Sequence, residues 1–332
     1  EYVRLAAAAY DAWRAVEAES RQRMITITGG VDLFPPNAAI DHRTYTASLD
    51  AEHVPYEWID GAEIRRRWPA FAAGEIVTDD VMGVYSPQTG IVPAGPGTRV
   101  MQQLAVARGA NLRGNSPVRA IRPIDGEVDI VTDDGVVRVG SVVVTADAWT
   151  NRLLRDLDLQ IPLAALQEQV SYFQQPDLAR FAVGRFPVWI WMDDPSFYGF
   201  PVFGDMTAVK GAEDCGGREV DPDTRTFDPD AAMEQRLGAF MQRLAGGQWA
   251  TPRTTTCLYT LTSDRDFVLD RLPGYPQVSV ALGAAHGFKF ASWFGRSLAG
   301  LACGEPAGRE LAPFAFTRES LHRPIDRAAW MV

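Results

Sequence analysis

Val278-Ser-Val-Ala-Leu282-Gly283-Ala-Ala-His286-Gly287-Phe288-Lys289 runs three kinds of sequence together without a spacer. Val278–Leu282 is a short apolar, β-branched run of the sort that forms a buried strand. Gly283-Ala-Ala carries almost no side chain. Residues 288–303 then take up helical spacing. The unit therefore reads as strand, tight turn and helix, a building block of α/β folds. Such a turn lets backbone approach a ligand closely, and free N–H groups at a helix start favour negative charge. The same residues equally suit a strand–helix connection packed on itself. Lys289 is informative because a cation in the first helical turn opposes the helix dipole, which an anionic ligand would offset.

A second unit of this kind lies upstream. Residues 97–108 form a helix with Val100, Leu104 and Ala107 inward and Gly109 as its stop. Extended runs follow at 118–121, 128–131 and 136–144, with Asp133-Asp134-Gly135 as the turn between the last two. Val142-Val-Val144 is continuously apolar, as a strand covered on both faces is. It feeds Thr145-Ala146-Asp147-Ala-Trp149 and a short helix to Leu154. Residues 2–19 are an amphipathic helix through Leu5, Ala9, Ala12, Trp13 and Val16. Residues 24–34 read as a hairpin across Gly29-Gly30, residues 36–53 as a helix and residues 75–85 as extended. Asp60-Gly-Ala-Glu63 reads as a capping box that opens a helix ending at Pro69. Residues 165–211 are strand-rich and aromatic. Asp228-Pro229 is read as an N-cap with Pro at the first helical position, opening a helix to about Leu244. Thr254–Tyr259 and Phe267–Asp270 are further strands. The expected fold is α/β interleaved with a mainly antiparallel α+β part. Residues 1–23, 92–162 and 263–332 would form one discontinuous domain, and residues 24–91 and 163–262 the other.

Composition narrows the function. Of 332 residues, 46% are hydrophobic and 22% charged, as in an ordinary globular protein. The 32 basic and 42 acidic residues give a net charge of −10. That argues against nucleic acid or an anionic membrane as the main partner. No apolar run reaches membrane-spanning length, and no signal-peptide pattern is visible. The three cysteines, Cys215, Cys257 and Cys303, are scattered, which fits a reducing compartment and a cytoplasmic location. His42, His53, His286 and His322 form no H-x-x-x-H pair and there is no C-x-x-C, so no metal site is expected. Ser297 in Gly295-Arg-Ser-Leu-Ala-Gly300 lacks the spacing of a nucleophile elbow and reads as a helical serine. Gly95-Pro96-Gly97 opens a helix and is not a dinucleotide fingerprint.

Two other stretches hold chemistry. In Cys257-Leu-Tyr259-Thr-Leu-Thr-Ser-Asp264-Arg-Asp266-Phe267-Val-Leu-Asp270, strand alternation puts the thiol and the phenol on one face, to line a site or to fill a core. In Tyr198-Gly-Phe-Pro-Val-Phe203 followed by Lys210, the lysine stands in an apolar strand with no acid beside it. It is either buried with a lowered pKa or at a strand edge with its head in water. The aromatic residues Trp189, Trp191, Phe197 and Phe203 either shape a pocket for a bulky substrate or pack a core.

Together these pieces resemble the monomeric sarcosine oxidase family, FAD-dependent amine oxidases that include N-methyltryptophan and pipecolate oxidases. Cys257-x-Tyr259-Thr-x-Thr-x-Asp264-x-x-Phe267-x-x-Asp270 resembles the family's flavin-attachment segment, and His286-Gly-Phe-Lys-Phe290 its flavin- and substrate-facing loop. Weaker matches run from Glu1-Tyr-Val through Arg67-Trp-Pro69, Ala107-Arg-Gly-Ala110, Thr145–Trp149 and Asp221-Pro-Asp-Thr224. The resemblance implies FAD bonded to the Cys257 sulfur, with Lys210 beside the flavin, where it helps dioxygen accept electrons. It implies Lys289 on the substrate carboxylate and Tyr198 and Tyr259 on the substrate pocket. Val118, Thr145, Ala146, Gly283, His286, Gly287 and Phe288 would also approach the cofactor. The substrate would be a secondary amine or amino acid, oxidised to an imine while dioxygen becomes hydrogen peroxide. A dehydrogenase with another electron acceptor and a cofactor-free binding module are the alternatives. Three departures stand out. The family's opening β-strand and G-x-G-x-x-G are missing, and Glu1 would align downstream of them. Asp214 stands four residues after Lys210, where the sarcosine oxidases have His. Asp147 replaces a Gly usual before Trp149.

Overall fold

Alternation along the strands organises the larger sheet. The computed structural model describes residues 1–325. Nine of its strands form one sheet, in the order Arg218–Glu219, Leu163–Gln174, Val209–Glu213, Phe197–Phe200, Val188–Trp191, Gly30–Phe34, Met82–Ser86 and Glu57–Asp60, with Ala250–Thr262 also pairing Leu163–Gln174. Only Val188–Trp191 and Gly30–Phe34 run parallel; the other pairs are antiparallel. Because opposed residues share a face, the register sorts the side chains. Phe173, Val209, Phe197, Trp189, Trp191, Val31 and Leu33 fall on one face. They pack with Leu237, Phe240, Met241 and Leu244 of the helix Ala231–Ala245. Phe240 stacks on Phe197 at 4.1 Å and on Trp189 at 5.9 Å. Trp189, Trp191 and Phe197 are thus core. Gly199 makes room for them, since a Cβ there would lie 2.4 Å from the Trp189 ring.

The second sheet carries the α/β unit. Tyr275–Leu282 lies between Val268–Leu272, antiparallel to it, and Val142–Val144, parallel to it. The helices Tyr2–Ser20 and Ala291–Ala302 bury Leu5, Ala9, Ala12, Trp293, Leu298 and Leu301 with Phe267, Leu269 and Ala281. A separate cluster joins Val144, Val268, Val278 and Val280 to Ile121 and Val128. The last two belong to an antiparallel meander of Val118–Ile124, Glu127–Thr132 and Gly135–Val139.

Several expectations are corrected. Residues 24–34 do not form a hairpin. Thr26–Ile27 pairs with Gly90–Ile91, whereas Gly30–Phe34 joins the large sheet. Gly29, at φ +67°, turns the chain, and the Thr28 and Gly29 N–H groups both donate to the Thr89 carbonyl. Within residues 36–53, helix occupies only His42–Ala51, because Asp41 caps it by accepting from the Arg43 N–H. Of residues 75–85, only Met82 onward is strand. The downstream N-cap is Asp230, not Asp228: Gln167 and Gln169 hold the carbonyls of Asp228 and Asp230, and the Asp230 carboxylate accepts from Ala232 and Met233 N–H. Ala107 is exposed although Val100 is buried. The run 136–144 splits between two sheets, with Val136 and Val137 exposed. The Asp60 cap forms as expected, accepting from the Glu63 N–H. No helix among the described residues is long and apolar enough to cross a membrane.

Candidate active site

The face of the large sheet turned away from its core helix gathers most of the chemically equipped side chains. Register opposes Cys257 to Glu168, Tyr259 to Leu166, Lys210 to both Tyr172 and Phe200, and Tyr198 to Ala212. Cys257, Tyr259, Lys210 and Tyr198 therefore project to the same side. The two phenol oxygens are 3.4 Å apart. Lys210 is on a strand flanked on both sides, not at an edge, and its Nζ lies 4.8 Å from the Phe200 ring centre. Burial lowers the Lys210 pKa, against a smaller opposite effect of Cys257. Burial raises the Cys257 thiol; Glu168 adds to the rise and Lys210 opposes it. Burial also pushes both tyrosines well above the ordinary phenol value.

A cavity of about 590 Å³ opens where this face meets the turn after Tyr275–Leu282. Tyr259, Asp214, Cys215, Arg265, His286 and Lys289 supply its polar wall. Ile40, Leu49, Ile190, Met192 and Phe290 are among its apolar lining. The turn is tight. A Cβ on Gly283 would lie 2.9 Å from Gly287 Cα, and Ala284 and Ala285, at φ 41° and 79°, hold the left-handed conformation. Two alanines held there indicate strain maintained by the surroundings. Lys289 Nζ donates to the His286 carbonyl at 3.0 Å and lies 3.2 Å from His286 Nδ1. Lys289 has accessible surface, in the cavity it lines, yet protein surrounds it closely enough that desolvation lowers its pKa to about 8, against the pull of Asp214. Burial, then Lys289, pushes His286 down to about 3, so the imidazole is neutral and its Nδ1 can accept from the lysine. Burial raises Asp214, and Arg265 opposes the rise.

The other expected positions spread around this centre. Because Val142–Val144 and Val278–Val280 run parallel, Thr145–Ala146 and Gly283 leave their strands at the same sheet end, where open α/β sheets bind ligands. Trp149 Nε1 donates to Asp223 at 2.7 Å and Arg152 pairs with the same carboxylate, tying this turn to residues 221–224. Asp147 is at φ 46°, and burial raises its carboxyl. Val118 opens the meander and is 39% exposed. Gly287 begins the single turn Gly287–Phe290. Phe288 packs elsewhere, 5.8 Å from Trp13 and beside Gly97. Asp264 and Asp270 act as staples: Asp264 binds Arg318 and Ser320, and Asp270 accepts from the Phe316 N–H.

Three contributors escape sequence reading. Glu168 is 2% exposed, Arg265 donates to Cys215 Sγ at 3.1 Å in the cavity wall, and Tyr45 in that wall donates to the half-buried Asp32 at 2.7 Å. The only available signal was parity: Glu168 would share the Cys257 face once the pairing of the two strands was known.

A family model described as FAD dependent oxidoreductase (DAO) matches residues 1–301. Monomeric sarcosine oxidase of Bacillus sp. (strain B-0618) is 29% identical over 334 residues, covering 98% of this chain and 84% of the relative. N-methyl-L-tryptophan oxidase of Yersinia pseudotuberculosis serotype O:3 (strain YPIII) is 27% identical over 323 residues, 96% of this chain and 84% of that one. Among solved structures, the open form of NikD, described as an unusual amino acid oxidase essential for nikkomycin biosynthesis, superposes with a TM-score of 0.82 at 25% identity. It covers 94% of this chain and 82% of its own.

Proposed function

The chain belongs to the DAO family of FAD dependent oxidoreductases, and from that premise we propose that it oxidises a secondary amine of the N-methyl amino acid type. The amine gives up two electrons and two protons to become an imine, and dioxygen takes them up as hydrogen peroxide. The observation that carries this reading is the convergence of Cys257, Lys210, Tyr198 and Tyr259 on one sheet face beside the cavity that Lys289 and His286 line. Lys289 is the partner for a substrate carboxylate, and such an anchor fixes the reacting carbon relative to the acceptor. Tyr198 and Tyr259 hold the amine end through their hydroxyls. The apolar wall excludes water from the reacting carbon.

The residues fit FAD. Gly283 and its two left-handed alanines bring bare backbone to the cavity, and two parallel strand ends open on the same edge. Gly283, His286, Gly287, Thr145, Ala146 and Val118 would hold the cofactor, with Cys257 as its covalent tether. FAD supplies the two-electron acceptor. Lys210, its ammonium held over the Phe200 ring on the same sheet face as Cys257, stabilises negative charge as it develops on dioxygen. We assign residues 1–23, 92–162 and 263–332 to the FAD-holding part and residues 24–91 and 163–262 to the substrate part. The three free cysteines support a reducing, cytoplasmic setting. The test is peroxide release in air. N-methyl amino acids should yield one peroxide per amine consumed. Turnover only with an artificial acceptor, without peroxide, would replace the oxidase by a dehydrogenase.

A further inference from the structure

Glu168 is a buried carboxylate with no part in amine oxidation as described above. It stands directly opposite Cys257 in the antiparallel pair of Leu163–Gln174 with Ala250–Thr262, so the two side chains share a face. It is 2% exposed. The Gly217 N–H donates to both carboxylate oxygens, at 3.0 and 3.1 Å, which fixes the head group. A Cβ on Gly217 would lie 2.1 Å from the Gln167 carbonyl oxygen and 2.8 Å from Glu168 Oε1, so the loop closes over the carboxylate only because that residue is glycine. Lys210 is electrostatically coupled to the same thiol. A half-buried thiol thus has a fixed carboxylate opposite it and an ammonium, one strand beyond that carboxylate, that favours its charged form, an arrangement that activates a thiol.

We infer that Glu168 is the proton acceptor for covalent attachment of the flavin to Cys257. The inference rests on the proposed Cys257 tether. In this step the S–H bond breaks and its proton passes to Glu168. The sulfur bonds to the flavin 8α carbon, which loses one C–H bond: its proton goes to solvent and its electron pair enters the flavin ring. Dioxygen, the oxidant of the proposed reaction, then takes up that pair with two protons as hydrogen peroxide. Burial, with smaller contributions from Asp214 and Glu213, raises the Glu168 carboxyl to about 7, against the Gly217 N–H, so it can both take and release a proton near neutrality. Proton transfer leaves the local charge sum unchanged and puts the negative charge on sulfur, the atom that Lys210 favours in its charged form.

The test uses the full chain expressed under riboflavin limitation and then supplied with FAD in air. Non-covalent uptake is read by quenching of flavin fluorescence. Attachment is read by colour retained in an acid pellet and by the mass of the peptide holding Cys257. Glu168→Gln should take up FAD as the wild type does but attach it at least tenfold more slowly. Glu168→Asp, which keeps a carboxylate, should recover part of the rate. Attachment by Glu168→Gln at the wild-type rate, or equal failure of the Gln and Asp variants after normal uptake, overturns the role of Glu168 and leaves the tether standing. Wild-type flavin that stays in the acid supernatant, or is found on another residue, overturns the tether itself and Glu168 with it.

Discussion

At Lys289, a cation in the first turn after a strand suggests an anionic ligand from the sequence, and its pKa lowered to about 8 gives that reading a measurable form. The ammonium binds a carboxylate; the neutral amine does not. On the proposed role of Lys289, carboxylate recognition is therefore present below pH 8 and fades as pH rises through that value. We expect kcat/KM for an N-methyl amino acid to fall above about pH 8. An amine of the same shape without the carboxylate should lack this limb. Lys289→Met should raise KM for the amino acid by at least tenfold and abolish the pH limb, because the charge is gone at every pH. Glu168 was illegible for the opposite reason. In Leu166-Gln-Glu-Gln-Val170, polar residues occupy both parities, so alternation assigns no buried face. Its burial depends on Gly217, nearly fifty residues away.

Elements show the same division. Strands and helices with strong periodicity were legible, but their partners were not. The Gly29-Gly30 turn was correctly placed, yet its backbone pairs with Thr89 instead of closing a hairpin, a contact sixty residues distant. Likewise, Asp228-Pro229 carries a good local start signal, but Gln167 and Gln169 hold the carbonyls on either side and move the cap to Asp230. The cap gives a direct check. Asp230→Ala removes the acceptor for the Ala232 and Met233 N–H groups. It should cost about 1 kcal/mol in urea unfolding, whereas Asp228→Ala should cost only a few tenths.

On the scale of the whole molecule, the sheet face that bears the candidate site is supported from behind by an aromatic core and from the side by C-terminal staples. Asp264, 12% exposed, binds Arg318 with two hydrogen bonds and Ser320 with a third. Although burial alone would raise its carboxyl, these partners hold it at about 2. Because the folded value lies below the unfolded one of about 4, this contribution is complete above pH 4 and is lost as pH falls toward 2. Asp264→Asn should cost about 3 kcal/mol at neutral pH, by stranding Arg318, and should flatten the acid limb of stability between pH 4 and 2. The central claim is that this architecture removes electrons from a secondary amine. It is tested most directly by mixing the FAD-loaded full chain with N-methyl amino acids in the absence of air. The visible flavin bands should bleach and then return when dioxygen is admitted. Flavin that keeps its colour with every N-methyl and cyclic secondary amino acid, while the protein remains folded and loaded, would contradict it.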